Sequence, residues 1–555
     1  MAYTEKQLLF RRLSAMRTER ATWWSHWQDL STHILPRSGR FFVQDRNRGN
    51  RRHNSIYDNT GTKALRVLAA GLMSGMTSPA RPWFRLGTPD RELAKYGPVK
   101  AWLNEVTTIM LDVFARSNTY RAFHSMYEEL GVFGTASSLV VTNFNHVIWH
   151  HPMTVGEYMI STDWQGNVTS LFREFQKTVV EVVTEFGREN CSDTVKTLYD
   201  KGQLDSWVTI VQAIEPRSFR DVSKQDAKNM PWKSCYFELG ADNEKFLRES
   251  GFKSYPCLSP RWATSGGDIY GNSPAMDALG DIKQLQHEQK RKGQGIDFMT
   301  NPPLQAPTSM KNREQGLLPG EISYVDMTGP NNAIKTAFDV RLDLSHLLAD
   351  IQDVRERIRG AFFYDVFLMI ANSGPDTRMT ATEVAERHEE KMIMLGPVLE
   401  RLHNEMLSPK IELTFNACLE AGILPPPPRE MAGKDLDVEL ISILAQAQRA
   451  IGVNSVDRLV GNIGAVAGFK PEVLDNFNAD KWITLYSESL GVDPEILNSE
   501  EDVAATREAR AQQQSAMQQA AMMNQGADTA QKLAQAQTDK PSALTDVTQA
   551  FAGYT

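Results

Sequence analysis

The sequence of 555 residues reads as an α+β chain that is mostly helical. Three observations carry this reading. Apolar residues recur at three- and four-residue steps over long stretches near both ends of the chain, the mark of amphipathic helices. Between Ser137 and about Trp262 the pattern changes to short runs of β-branched and aromatic residues with turn residues between them, as strands require. From Ser273 two long helical patterns flank an excursion punctuated by Pro and Gly. Chains beyond roughly 250–300 residues divide into more than one core, and 23% charged with 41% hydrophobic residues fits a soluble, folded protein.

The first helix is expected from Glu5 to about Ile34, because Leu9, Leu13, Met16, Trp23, Trp27, Leu30 and Ile34 form one stripe and Pro36 closes it. The basic segment RSGRFFVQDRNRGNRRHNS reads as an exposed loop, either simply solvated or meeting phosphate or acidic partners. A second helix, capped by Thr60 or Thr62, runs to about Met76. Its Ala69, Ala70, Gly71 and Gly75 leave a thin face for close approach of another helix, and Trp83 and Phe84 anchor its exit to a core. Helices follow near 99–116 and 119–130. The block after Ser137 has candidate strands in SSLVVTN, VIWHH, EYMIST, SLFREFQ, WVTIVQAIEP and CYFEL, with short helices at Val179–Phe186 and Ser192–Lys201.

A Ser-Pro start opens the long helix from Ser273, and NPPLQAP stops it. GEISYVDM and AIKTAFDV are candidate strands in the excursion, and SHLLADIQDVRERIRGAFFYDVF is a second long helix. VFLMIANSG then reads as a loop. It leads into a helix with a T-x-x-E capping box at Thr380 and Glu383, each side chain satisfying an orphan backbone donor. That helix is expected to continue to about Ala421, kinked at Gly396–Pro397, since proline removes a backbone bond and clashes with the preceding turn, with Pro409 bending it again. Shorter helices are expected over about 435–490. The tail from about Ala504 is low-complexity and rich in Ala and Gln, with helix propensity but little to bury.

The sequence has no phosphate loop, no dinucleotide fingerprint, no nucleophile elbow and no H-E-x-x-H. The four cysteines form no C-x-x-C pair and read as reduced, buried small hydrophobes. His146, His150 and His151 are the best metal candidates, but a strand would put only two of them on one face, so half-exposed strand histidines are the plainer reading. Lys290, Arg291 and Lys292 suit either the negative end of a helix dipole or a nucleic-acid contact. No apolar secretory segment is visible at the N-terminus and no stretch reaches the roughly 18–20 apolar residues of a membrane span, so no membrane association is expected and a cytoplasmic origin is. The net charge of −8 argues against a general nucleic-acid binder but allows a local basic patch.

Three stretches together carry a resemblance: IYDNTGTKALRVLAAGLMSGMTSPARPWFRL, SPRWATSGGDIYGNSPAMDALGDIKQLQ and GPDTRMTATEVAERHEEKMIMLGPVLERLHNEML. In order, spacing and combination the chain, from about residue 5 to about residue 490, resembles the portal, or head-to-tail connecting, proteins of short-tailed double-stranded DNA bacteriophages. The resemblance implies a ring of twelve identical subunits around a DNA channel at one vertex of the head, assembled in the host cytoplasm, with no active site and no cofactor. It maps residues 1–272 to the wing, 273–300 to a first stem helix, 301–344 to the clip and 345–365 to a second stem helix. Residues 366–379 map to the tunnel loop, 380–428 to the long kinked helix and 429–500 to the crown. The tail, 501–555, lies outside it, and either a helical barrel or a disordered segment fits its composition.

The resemblance makes Asn372, Ser373, Gly374, Asp376 and Arg378 a loop lining the channel, with Thr380 and Glu383 fixing its base. It also makes Arg378, Lys290, Arg291 and Lys292 candidate sequence-independent contacts to double-stranded DNA. The implied partners are the terminase large subunit, the major capsid and scaffolding proteins, the tail adaptor and tail tube proteins, and internal core or ejection proteins. The alternatives are another virion structural protein without a closed channel, and an enzyme with a scattered site, for which the sequence offers no compact polar constellation.

Overall fold

The computed structural model describes residues 4–41, 55–300 apart from 91, 92, 94, 95, 225 and 241–244, the pairs 304–305 and 335–336, 345–371, 394–445 apart from 432, 435 and 443, parts of 460–483, and 500–534. The chain divides into two compact units, Met1–Phe469 and Lys470–Thr555. This division falls inside the segment expected as the crown.

In the first unit, helix α1 (Glu5–His33) starts on a capping box between Thr4 and Gln7 and ends beside Ile34, as the stripe and Pro36 predict. The first half of the stripe, Leu9, Leu13 and Met16, packs on the inward residues Met159, Phe172, Val211, Ala213, Cys235 and Phe237 of a sheet. The second half, Trp27, Leu30 and Ile34, enters the main core. One helix thus ties two cores together. That sheet has five antiparallel strands in the order β4 (Tyr158–Thr162), β5 (Val168–Thr178), β6 (Trp207–Pro216), β7 (Trp232–Glu238) and β8 (Arg248–Phe252). A second, three-stranded sheet places β2 (Ser137–Asn143) between β3 (Val147–Met153) and β9 (Cys257–Leu258).

The main core is helical. Helix α2 (Thr60–Met76), α3 (Gly97–Arg116) and α4 (Thr119–Phe133) surround Trp83, Phe84, Phe114 and Phe123, with Trp83 stacked 5.8 Å from Phe114. The predicted thin face of α2 is used: a Cβ at Gly71 would stand 2.5 Å from the Phe367 side chain. The start of α2 differs in detail. Its N-cap is Asn59, whose side chain makes no capping bond. Instead the Asp58 carboxylate accepts from the Thr60 amide at 2.8 Å, and Thr62 Oγ1 donates to Ile34 O at 2.9 Å.

The helix opened by Ser273, whose Oγ accepts from the Met276 amide at 3.1 Å, is one short turn followed by α7 (Leu279–Thr300). Here α5 is Val179–Phe186 and α6 is Asp193–Asp200. The second long helix is not continuous. It ends as α8 (Ser345–Ala361), and Phe363 takes φ of 51° before α9 (Tyr364–Ala371) begins. A left-handed Phe is costly; full burial of Phe362, Val366 and Phe367 around the break offsets it. The apolar stretch from Val366 to Ala371, read from sequence as loop, is therefore helical, because its first residues face the core. Beyond it, Asn372, Ser373, Gly374, Asp376, Arg378, Thr380 and Glu383 lie outside the described residues.

Helix resumes over 394–402 and runs through Gly396 and Pro397. The irregularity among the described residues lies at His403–Leu407, a π segment, ahead of α10 (Ser408–Glu420). Pro409 explains it: without an N–H, and crowding the carbonyl four residues back, a proline is accommodated by one wider turn. Two further expectations change. Asp437–Leu440, placed among short helices, is a strand (β12) paired with β1 (Phe84–Gly87), Phe84 opposite Leu440. In the excursion a two-residue pair joins β10 (Leu304–Gln305) to β11 (Lys335–Thr336); β11 falls in AIKTAFDV, whereas β10 falls in the proline-rich stop and GEISYVDM lies outside the described residues. In the second unit, α11 (Glu500–Ala534) takes in the Ala/Gln-rich tail as far as Ala534, the rest lying outside the described residues, and Arg507 pairs with Asp480 at 2.6 Å.

Candidate functional site

Helices α7 and α8, the candidate stem pair, are bolted to the start of α2 through one polar joint. Gln286 on α7 accepts from the amides of Tyr57 at 2.6 Å and Asp58 at 2.8 Å, and returns a bond to Asp58 O at 2.8 Å. Asp58 Oδ2 accepts from Arg355 Nη2 at 2.7 Å and Nε at 3.1 Å on α8, and from Gln289 Nε2 at 3.2 Å on α7. Burial disfavours the Asp58 carboxylate, but the bonds from Thr60 and Arg355 outweigh it and hold its pKa below the ordinary value. Sequence reasoning missed this joint. An Asp before a helix was legible as a capping signal; its partners lie 228 to 297 residues away.

The predicted basic cluster lies within α7, with Lys290 and Arg291 exposed and Lys292 half-buried. The helix continues to Thr300, so the cluster stops short of the last turn, where the dipole acts. The reading of these residues as partners of a helix end is thereby corrected.

Of the histidines, His146 is in the turn before β3, His151 is exposed, and His150 is 1% exposed in the core. Ser138 Oγ lies 3.2 Å from His150 Nδ1, and burial, then the nearby Lys410, pushes the ring pKa well down. Among the described residues no three His, Cys, Asp or Glu side chains gather as a metal cluster, and all four cysteines are free and buried. Among the described residues no helix is long and apolar enough to cross a membrane.

The long helix is pinned at its π segment. Glu405 accepts from Arg261 Nη2 at 2.7 Å and from the Arg261 amide at 2.8 Å, while Arg261 Nη2 also donates to Gly166 O at 2.7 Å. The helix leaving residue 394 is thus fixed to the β4–β5 turn, and α9 is fixed to α2 through Gly71. Both flanks of the segment 372–393 therefore belong to the main core.

The chain belongs to the bacteriophage head-to-tail connecting protein family, whose profile matches residues 6–497. It is 63% identical over 552 residues to a probable portal protein of Bordetella phage BPP-1, covering 100% of this chain and 99% of that protein. It is 46% identical over 552 residues to the portal protein of Salmonella phage epsilon15, covering 99% of each. A chain from the neck of an empty GTA particle aligns with a TM-score of 0.35 and 14% identity over 79% of this chain and 91% of that one, too slight a likeness to add weight.

Proposed function

We propose that the chain acts as a portal: a ring of twelve copies at one vertex of the phage head, through which double-stranded DNA enters and leaves. The observation that carries this is full-length identity of 63% and 46% to two proteins named as portals. On this reading α7 and α8 are the stem, and the terminase large subunit, later replaced by the tail adaptor and tail tube, docks at residues 301–344. The major capsid and scaffolding proteins and internal core or ejection proteins are the further partners of the assembly. Assembly takes place in the host cytoplasm.

The segment Asn372–Arg378 is the channel loop, and Thr380 with Glu383 caps the helix at its base. The close seating of α9 on α2 supports this, because a loop that touches moving DNA needs an immobile root. Arg378, Lys290, Arg291 and Lys292 are the phosphate contacts. Lys290 and Arg291 are exposed, as such contacts must be. A sliding channel tolerates only a few such points, since every phosphate neutralised adds a salt-sensitive attraction. Charge reversal at Arg378 together with Lys290, Arg291 and Lys292 should leave ring assembly intact and lower the amount of DNA packaged or retained per head. Unchanged packaging and unchanged retention would remove these residues from the DNA path.

A further inference from the structure

We propose that a polar cleft at the joint between α2 and α8 binds a phosphate group. The cleft has a volume of about 490 Å³ and is lined by Tyr57, Asn59, Lys63, Arg355, Arg359 and Tyr364, with Asp58 at its floor. Three cations face one carboxylate there, and that carboxylate is committed to Arg355 at 2.7 Å. Lys63 and Arg359 remain. Both are exposed, and neither has an ion-pair partner among the described residues.

Two neighbouring cations, Arg357 on α8 and Lys283 on α7, are by contrast paired, with Asp281 at 3.4 Å and with Asp29 at 2.7 Å. What sets Lys63 and Arg359 apart is that both line one concave cleft, whereas Arg66 on α2 stands on an open face. Arg359 lies over the Tyr364 ring at 5.6 Å, which holds the guanidinium along one wall of the cleft. A guanidinium fork and an ammonium point charge on facing elements match an anion that offers several oxygens at once. The Asn59 side chain, which makes no helix-capping bond, also lines the cleft. A phosphate satisfies all of these groups, whereas a single carboxylate offers only two oxygens.

The phosphate has two possible sources, a DNA backbone or a free phosphate anion. The DNA source rests on the portal reading; the site itself does not. The test uses the full-length protein in its native assembly, titrated by calorimetry with pyrophosphate and, separately, with a short DNA duplex at several salt concentrations. Lys63→Gln and Arg359→Gln are compared with wild type, and Arg66→Gln on the exposed side of α2 serves as control. Arg359→Lys retains the charge should the glutamine variant fold poorly.

Loss of about tenfold in pyrophosphate affinity is expected for each cleft variant, the worth of one charge-assisted hydrogen bond, with no change in the control. If the DNA salt dependence also falls by about 0.9 per cation removed, the source is the backbone. If pyrophosphate binding falls and DNA binding does not, the site holds a free anion, and DNA is excluded from this cleft while the portal reading is untouched. Wild-type protein that binds no pyrophosphate and DNA binding that ignores both substitutions would overturn the proposal.

Discussion

Lys410 is the residue whose surroundings most oppose its chemistry. Its side chain is fully buried, Nζ has no hydrogen-bond partner, and the Phe114 ring lies 5.3 Å away. Burial pushes its pKa well below the ordinary lysine value, against an opposing contribution from Cys418. In the window between that depressed value and about 10.5, the unfolded chain binds the proton that the folded one lacks, so stability should rise with pH there. Lys410→Met keeps the volume and removes the polar end. It should raise stability at neutral pH by about 1–3 kcal/mol, the cost of an unsatisfied buried polar group, and flatten the pH slope. Thermal melts between neutral and alkaline pH would check both, and a destabilised variant would show that the amine has a partner in the assembled state. Nothing local in SPKIELTF announces a buried lysine, and the histidine whose charge it disfavours, His150, lies far away in the sequence on β3. His150 was legible as a strand residue, but its burial where β3 meets α4 and α10 was not.

At the scale of elements, the periodicities that predict α1, α2, the strands β2 and β6 and the short helix Val179–Phe186 are local, and these elements form where expected. The misreadings share a physical cause. The strand Asp437–Leu440 exists because Phe84–Gly87 offers it a ladder, and four residues carry too little pattern to declare that. Arg248–Phe252 is an edge strand that is nowhere fully buried, so it shows no alternation. The break at Phe363 depends on which aromatic rings the core accepts, and the apolar run after it reads equally as loop or helix until Phe367 is seen against Gly71. That contact is the most exacting in the helical core. Gly71→Ala would place a methyl 2.5 Å from Phe367. Neither backbone can yield cheaply in a packed core, so the variant should lose about 1–3 kcal/mol as an overpacked site, despite the better helix propensity of Ala. Phe367→Ala removes the ring atoms from that approach and leaves only the Cβ, so it should cost less in the Gly71→Ala chain than in the wild-type chain. Chemical denaturation of the single and double variants measures it, and simple additivity of the two substitutions would contradict the contact.

For the whole molecule, what was legible was the order of parts rather than their joints. Two long helical patterns around a punctuated excursion, then an apolar segment and a helix with proline irregularities, recur in the structure as α7, α8, α9 and the stretch ending at Glu420. The Asp58–Gln286–Arg355 joint and the Arg261–Glu405 pin, which tie these parts into one body, join residues more than a hundred positions apart and leave no local trace in the sequence. Such joints suit a component that must stay rigid while a charged polymer passes it, and the central claim of the account is that copies of this chain close into a ring around that path. The most direct test is the mass and rotational symmetry of the purified protein, by light scattering and electron-microscope class averages. The account predicts a closed ring of twelve copies with a central opening, formed on its own or on concentration; a protein that stays monomeric or dimeric under all conditions would contradict it.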